Sequence, residues 1–139
     1  MFIDPKAFDH VTGPIIGAAI EVHRHLGPGL LESAYLPCLH FELAARKLRF
    51  QVQRVIPLVY KGTPLGSSYR LDLVVEDLIV VEVKSVAEVL PVHRSQLLTY
   101  LRLTNCPLGL VINFNVPVLK DGVKRVLNPG VSASAMTNS

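Results

Sequence analysis

The apolar positions follow two periods along the chain, one helical and one alternating. From about Val11 to Leu26, the residues Ile15, Ile16, Ala19, Ile20, Val22 and Leu26 recur at helical spacing. Asp9 and Thr12 are N-cap candidates, and Gly27-Pro28-Gly29 stops the helix. Residues 1–8 read as a loose lead-in. A second helical stretch runs to about Leu48, with Leu39, Phe41, Leu43, Ala44 and Leu48 as its apolar content and Arg46-Lys47 at its C-terminal end. Pro37 interrupts it. In a helix interior it would remove a hydrogen bond and crowd the Ser33 carbonyl, at about 3 kcal/mol. The pattern therefore predicts a late start with Pro37 in the first turn, or a kink there.

Strand signals dominate the middle. Arg54 to Tyr60 reads as a short strand, and Pro57 places it at an edge. Lys61 to Gly66 reads as a turn-rich connector. From Tyr69 to Ser85, two β-branched runs flank the acidic break Glu76-Asp77, which predicts a hairpin. Val86 to Leu90 reads as a loop, and Pro91 opens an amphipathic helix from about Val92 to Leu103, carrying Gln96, Leu97, Tyr100, Leu101 and Leu103. Leu108 to Phe114 is almost continuously apolar, as a strand buried on both faces is. Strand, helix, strand in that order makes a parallel crossover the economical topology. Asp121-Gly122 reads as a turn before a last strand, Val123 to Leu127. The expected architecture is α/β with a mixed sheet, one domain over 1–128 and a disordered tail over 129–139.

Charge inside the hairpin changes this picture. Asp72 lies in the first run, Glu82 and Lys84 in the second, where buried strands carry none. Alternation puts Glu82 and Lys84 on one face. A turn centred near Asp77 sets Asp72 opposite Glu82, and a slip of one residue would undo that. Two adjacent carboxylates repel unless positive charge lies between them. Lys84 is one candidate, and a hard divalent cation with oxygen ligands is the other. A cation held by one or two carboxylates, with water and phosphate completing its shell, suits phosphoryl transfer, and a neighbouring lysine can orient the water. The plainer alternative is a surface salt-bridge cluster, worth little energetically.

Composition narrows the field further. Half of the 139 residues are hydrophobic and 18% are charged, which argues for a folded chain. No apolar run is long enough for a membrane span, no signal peptide is evident, and the sparse, widely spaced Cys38 and Cys106 read as buried free thiols; a cytoplasmic, non-membrane protein is the expectation. A net charge of +3 is compatible with a phosphate-bearing partner, while the absence of tryptophan argues against a single-strand stacking platform. His23 and His25 point to different helix faces and read as partly exposed, with Glu21 facing solvent or a base. His40 and His93 read as surface or interface residues, and no His-Cys spacing suits zinc. Tyr35 reads as packing with its hydroxyl hydrogen-bonded, and Asn113 and Asn115 as satisfying backbone groups at a strand end.

Gly29-x-x-Glu32-x-x-Tyr35, within Val22-His23-Arg24-His25-Leu26-Gly27-Pro28-Gly29-Leu30-Leu31-Glu32, resembles the signature of the bacterial GxxExxY protein family. So do Tyr69-Arg70-Leu71-Asp72-Leu73-Val74-Val75, Val81-Glu82-Val83-Lys84, Gln96-Leu97-Leu98-Thr99-Tyr100-Leu101 and Gly109-Leu110-Val111-Ile112-Asn113-Phe114. The likeness covers about residues 10–127. It implies the PD-(D/E)XK nuclease superfamily, whose core is a mixed sheet flanked by helices. Asp72 then corresponds to the motif aspartate, Glu82 to the second acid and Lys84 to the lysine; residue 71 is Leu where the motif has Pro. The likeness makes Asp72, Glu82 and the Val83 carbonyl the ligands of Mg²⁺ or Mn²⁺, with Glu32 on the metal or its water. Lys84 would position the attacking water and Gln96 would orient Lys84 or a phosphate. Gln96 and Tyr100 resemble the polar pair one turn apart on the helix after the lysine, and Tyr100 and Arg70 are the expected substrate contacts. The implied activity is a metal-dependent nuclease acting on nucleic acid, DNA in preference to RNA, as a possible homodimer. The alternative is a catalytically silent module that binds nucleic acid or a protein partner.

Overall fold

The computed structural model describes residues 4–130. Five strands form one sheet in the order β1 (Phe50–Tyr60), β2 (Thr63–Val75), β3 (Ile79–Lys84), β4 (Leu108–Asn113) and β5 (Val123–Leu127). Every adjacent pair is antiparallel except β3 and β4, which run parallel, with α3 (Pro91–Thr104) as the crossover between them. On one face lie α1 (Asp9–Leu26) and α2 (Glu32–Ala45); their buried Ile15, Val22, Tyr35, Leu39 and Leu43 meet Leu73, Ile79, Val81 and Ile112 of the sheet. On the other face α3 sets Leu97 and Leu101 against Val74, Val80 and Val111. Both central strands are buried except for half-buried Lys84 at the end of β3, as runs covered on both faces should be. Gly109 lets α3 come close: a side chain there would meet Leu97 at 2.8 Å. Among the described residues no helix is long and apolar enough to cross a membrane.

Several expectations are corrected. The lead-in is not loose where it is described: Pro5–Phe8 form a 3₁₀ turn and Phe8 is buried, while residues 1–3 lie outside the described residues. The helix α2 neither starts late nor reaches Leu48. It begins at Glu32, carries Pro37 in its second turn and ends at Ala45. The proline is tolerated because Ser33 and Pro37 are both exposed, so water can take the freed carbonyl while Tyr35, Leu39 and Leu43 pack beneath. The first strand starts earlier than read, at Phe50. Of the expected connector only Lys61 and Gly62 turn; both adopt positive φ, 50° and 79°, which closes a hairpin in two residues. Thr63 onward is therefore strand. Beyond Gly130 the expected tail lies outside the described residues.

The break between α1 and α2 is fastened rather than free. The Tyr35 hydroxyl donates to the Gly27 carbonyl at 2.6 Å and accepts from the Leu30 amide at 3.1 Å, while its ring stacks on Phe114 at 4.4 Å. The Ser85 hydroxyl donates to the Leu30 carbonyl, which ties this loop to the end of β3. Tyr35→Phe keeps the stacking but leaves both loop groups without their protein partner. It should lower stability by about 1–3 kcal/mol, read as a fall in the urea midpoint at unchanged slope; an unchanged midpoint would show that the tie is dispensable.

Candidate active site

The β2–β3 hairpin turns through Glu76 and Asp77, both left-handed at φ 53° and 54°, with the Leu78 amide donating to the Val75 carbonyl at 3.0 Å. Pairing runs Val75–Ile79, Val74–Val80 and Leu73–Val81, a register centred on Asp77. One pair further out, the strands part. There the carboxylates replace the main-chain ladder: the Asp72 amide donates to Glu82 Oε1 at 3.1 Å, and the Val83 amide donates to Asp72 Oδ2 at 2.8 Å. On the other side of β2, pairing with β1 also skips Asp72, because Gln53 opposite it is left-handed at φ 51°. Asp72 thus lies at a gap in both ladders. Its neighbours record the twist: Leu73 packs toward α1 and α2, but Leu71 packs with the α3 cluster. In a regular strand they would share a face.

Burial makes this pair electrostatically unusual. Glu82 is buried, and desolvation first, then the neighbouring Asp72, push its pKa up to about 8. Asp72 is also raised, chiefly by desolvation; the Val83 amide and the charge of Lys84 pull it down, while Glu32 pushes it up. With its pKa pushed up to about 8, Glu82 favours its protonated form at neutral pH. Lys84 acts on both through its field and forms no ion pair with either among the described residues. The simple salt-bridge cluster is therefore not what the geometry gives.

The remaining expected residues lie at varied distances from the pair. Glu32, half-buried in the first turn of α2, reaches Asp72 by its field; among the described residues no three His, Cys, Asp or Glu side chains form a ready-made cluster. Tyr100 on α3 is buried edge-on against Tyr69, and its pKa is raised by burial, then by Glu82 and Asp72, so it stays a neutral donor facing the acids. Gln96, one turn earlier, is exposed and makes no hydrogen bond among the described residues. Arg70 is exposed on β2 opposite Val55, unpaired among the described residues.

Other side chains complete the surroundings. Asn113 receives the Val86 amide at 3.1 Å and donates to the Val86 carbonyl at 2.9 Å, which fixes the loop that follows Lys84. His23 is buried, against expectation, with Nε2 2.8 Å from the Val116 carbonyl; His25 is exposed and bonded to Glu21. His40 departs from the expected surface or interface position. It is half-buried, stacked on Phe50, with its Nε2 buried and without a partner, and it feels the charge of Asp72. No spacing in the sequence links His40 to Asp72; only the packing of α2 on the sheet does.

A hard divalent cation fits this donor set. Lys84 turns its carbonyl to β4, where it accepts from the Phe114 amide at 2.9 Å. Adjacent residues of a strand point to opposite edges, so Val83 presents its amide and carbonyl to the β2 side, where its amide already meets Asp72. Two carboxylates and one carbonyl then share a half-dry corner, and the proton on Glu82 marks where a cation would relieve their repulsion.

Comparison with known proteins bears on this corner. The family model of the PD-(D/E)XK nuclease superfamily matches residues 9–126, from the start of α1 into β5. No curated protein and no solved structure matches the chain.

The raised carboxyl has a thermodynamic consequence. Folded Glu82 binds its proton up to about pH 8, whereas an unfolded glutamate releases it near 4.5. Its stabilising share is fully present below 4.5 and is lost as pH rises to 8. Without metal, thermal denaturation should therefore show Tm falling between pH 5 and 9, by roughly 5 °C or more. Glu82→Gln, which is neutral throughout, should flatten that fall. A metal-free Tm that rises over this range, or an equal fall in the variant, would remove Glu82 as the cause.

Proposed function

The chain belongs to the PD-(D/E)XK nuclease superfamily, and from that premise we propose that it is a metal-dependent nuclease whose site is the corner where β2 and β3 part. The observation that carries the proposal is the Asp72–Glu82 pair: a half-buried and a buried carboxyl, both with raised pKa and each bonded to main chain of the opposite strand, with Lys84 acting on both by its field. The narrower likeness to the GxxExxY family rests on Gly29, Glu32 and Tyr35.

In this reading Asp72, Glu82 and the Val83 carbonyl hold Mg²⁺ or Mn²⁺, and Glu32 binds a water of its shell. The ion, when bound, supplies positive charge where the phosphate gathers negative charge. Lys84, two residues from Glu82 along β3, holds the attacking water by its ammonium. Its field reaches both carboxyls, so it also offsets charge on the phosphate. Gln96 is exposed and free to orient Lys84 or a phosphate oxygen. The Tyr100 hydroxyl, held neutral by burial, donates to the substrate. Arg70 contacts the nucleic-acid backbone. Metal loading must displace the proton of Glu82, so Mn²⁺ affinity at neutral pH is expected to rise with pH.

Titration calorimetry of Mn²⁺ tests the metal site without a guess about substrate. The wild type should bind with proton release, Glu82→Gln should not bind, and Asp72→Asn should bind more weakly. Lys84→Ala should keep its fold and its Mn²⁺ affinity yet lose cleavage by about 100-fold or more. Undiminished cleavage in Lys84→Ala would sink the assignment of the lysine. Salt-sensitive nucleic-acid binding without any cleavage, surviving the loss of Lys84 and of metal, would instead assign the silent module.

A further inference from the structure

The structure carries a second feature that the acid pair does not use. β3 pairs with β2 only from Leu73 to Val75, so the rest of β2 and its partner β1 continue as a two-stranded arm. From Arg54 and Leu71 to the turn at Lys61-Gly62, that arm is about 20 Å long. Its base packs on the α3 cluster through Leu71, Ile56 and Tyr69, but Val55, Val59, Tyr60 and Leu65 are all exposed, at 51%, 55%, 59% and 53%. From Phe50 to Leu71 there is no Asp or Glu, but there are three bases, Arg54, Lys61 and Arg70. None of the three has an ion-pair partner among the described residues, and Lys61 lies over the Tyr60 ring at the tip.

We propose that this arm binds double-stranded DNA by entering its major groove. The inference rests on the reading of the acid pair as a phosphodiester site, and it names the substrate class. A two-stranded ribbon matches the roughly 12 Å width of the B-form major groove, whereas A-form RNA keeps that groove too narrow for side chains. Arm and site are one strand: Arg70 is two residues from Asp72, and the left-handed Gln53 stands where the arm leaves the sheet. Duplex held along the arm is therefore brought to the acids.

The competing occupant is a second copy of the chain, paired along the free edge of β1. That edge is poorly suited to continuation. Gln53 is left-handed, Pro57 has no amide hydrogen, and the register slips between Pro57 and Val59, where β2 holds extra residues around the left-handed Gly66. Positive charge with no acid along the whole arm favours a polyanion over a like-charged copy.

The test measures binding of a short fluorescent DNA duplex in EDTA, over a range of salt, for wild type and for Arg54→Ala/Lys61→Ala/Arg70→Ala. The triple variant should bind the duplex at least tenfold more weakly, with a log–log salt slope shallower by about 2 to 3. Its Mn²⁺ affinity by calorimetry should be unchanged. Lys61→Glu alone, at the exposed turn, should weaken binding without any risk to the fold. Equal affinity and slope in wild type and both variants would overturn the proposal. So would an equal loss for double-stranded RNA or single strands, or concentration-dependent self-association that Tyr60→Asp breaks while duplex binding stays intact. Cleavage by wild type is scored separately with Mn²⁺. Arm-dependent binding without cleavage would retain the arm and remove the catalytic reading; cleavage with arm-independent binding would do the reverse.

Discussion

The site depends on one exchange of partners. Where β2 and β3 part, each strand would leave main-chain amides unpaired in a half-buried place, at a cost of about 1–3 kcal/mol apiece. Asp72 and Glu82 answer that need with their own oxygens, the Val83 amide going to Asp72 and the Asp72 amide to Glu82. Each acid is thus held by the opposite strand and turned toward the other. The same bonds that close the sheet's end bring two like charges together. That conflict adds to the desolvation of the buried side chain, and burial first, then the neighbouring Asp72, push Glu82 up to about 8.

The rest of the fold fixes where that exchange takes place. The Glu76-Asp77 turn sets the register, so a one-residue change there would move Glu82 to the other face. Buried β4 holds β3 straight through six parallel pairs, and the Asn113 side chain then clamps Val86 just past Lys84. Tyr35 and Ser85 bind the Gly27–Leu30 loop to the same end of the sheet, which places the first turn of α2, and with it Glu32, within reach of Asp72 by its field. Gly109 brings α3 close enough for Tyr100 to face the acids from the opposite side.

Much of this was legible in the residues, and the reasons are physical. Alternation along β3 and the turn at Glu76-Asp77 depend on neighbours in sequence, so the approach of Asp72 to Glu82 could be read from spacing alone. What could not be read depends on packing. Pro37 sits inside α2 because buried side chains around it outweigh its local cost, and no window of sequence reports that balance. The switch of faces between Leu71 and Leu73, the left-handed Gln53 and the approach of His40 to Asp72 are tertiary in the same sense. The long arm was missed because Thr63, Pro64, Gly66 and two serines look like a loop. They are strand because a turn at Lys61-Gly62 commits them to pair with β1.

Both the arm and the acid pair arise from the same irregularity, and this connects them. A strand that stayed regular through Asp72 would keep Leu71 and Leu73 on one face, carry β2 along β3 and leave no corner for two carboxylates. Because β2 rotates at Asp72, its outer half leaves β3, and beyond Ile56 and Tyr69, which pack on the α3 cluster, Val55, Val59, Tyr60 and Leu65 stay exposed. An exposed, acid-free ribbon of that kind is costly to keep on a monomer unless something lies against it. A partner whose backbone were itself the substrate of the proposed acid pair would satisfy both halves of the strand at once. It would cover the arm's apolar and basic side chains and bring a phosphate to the one place where β2 carries a carboxylate.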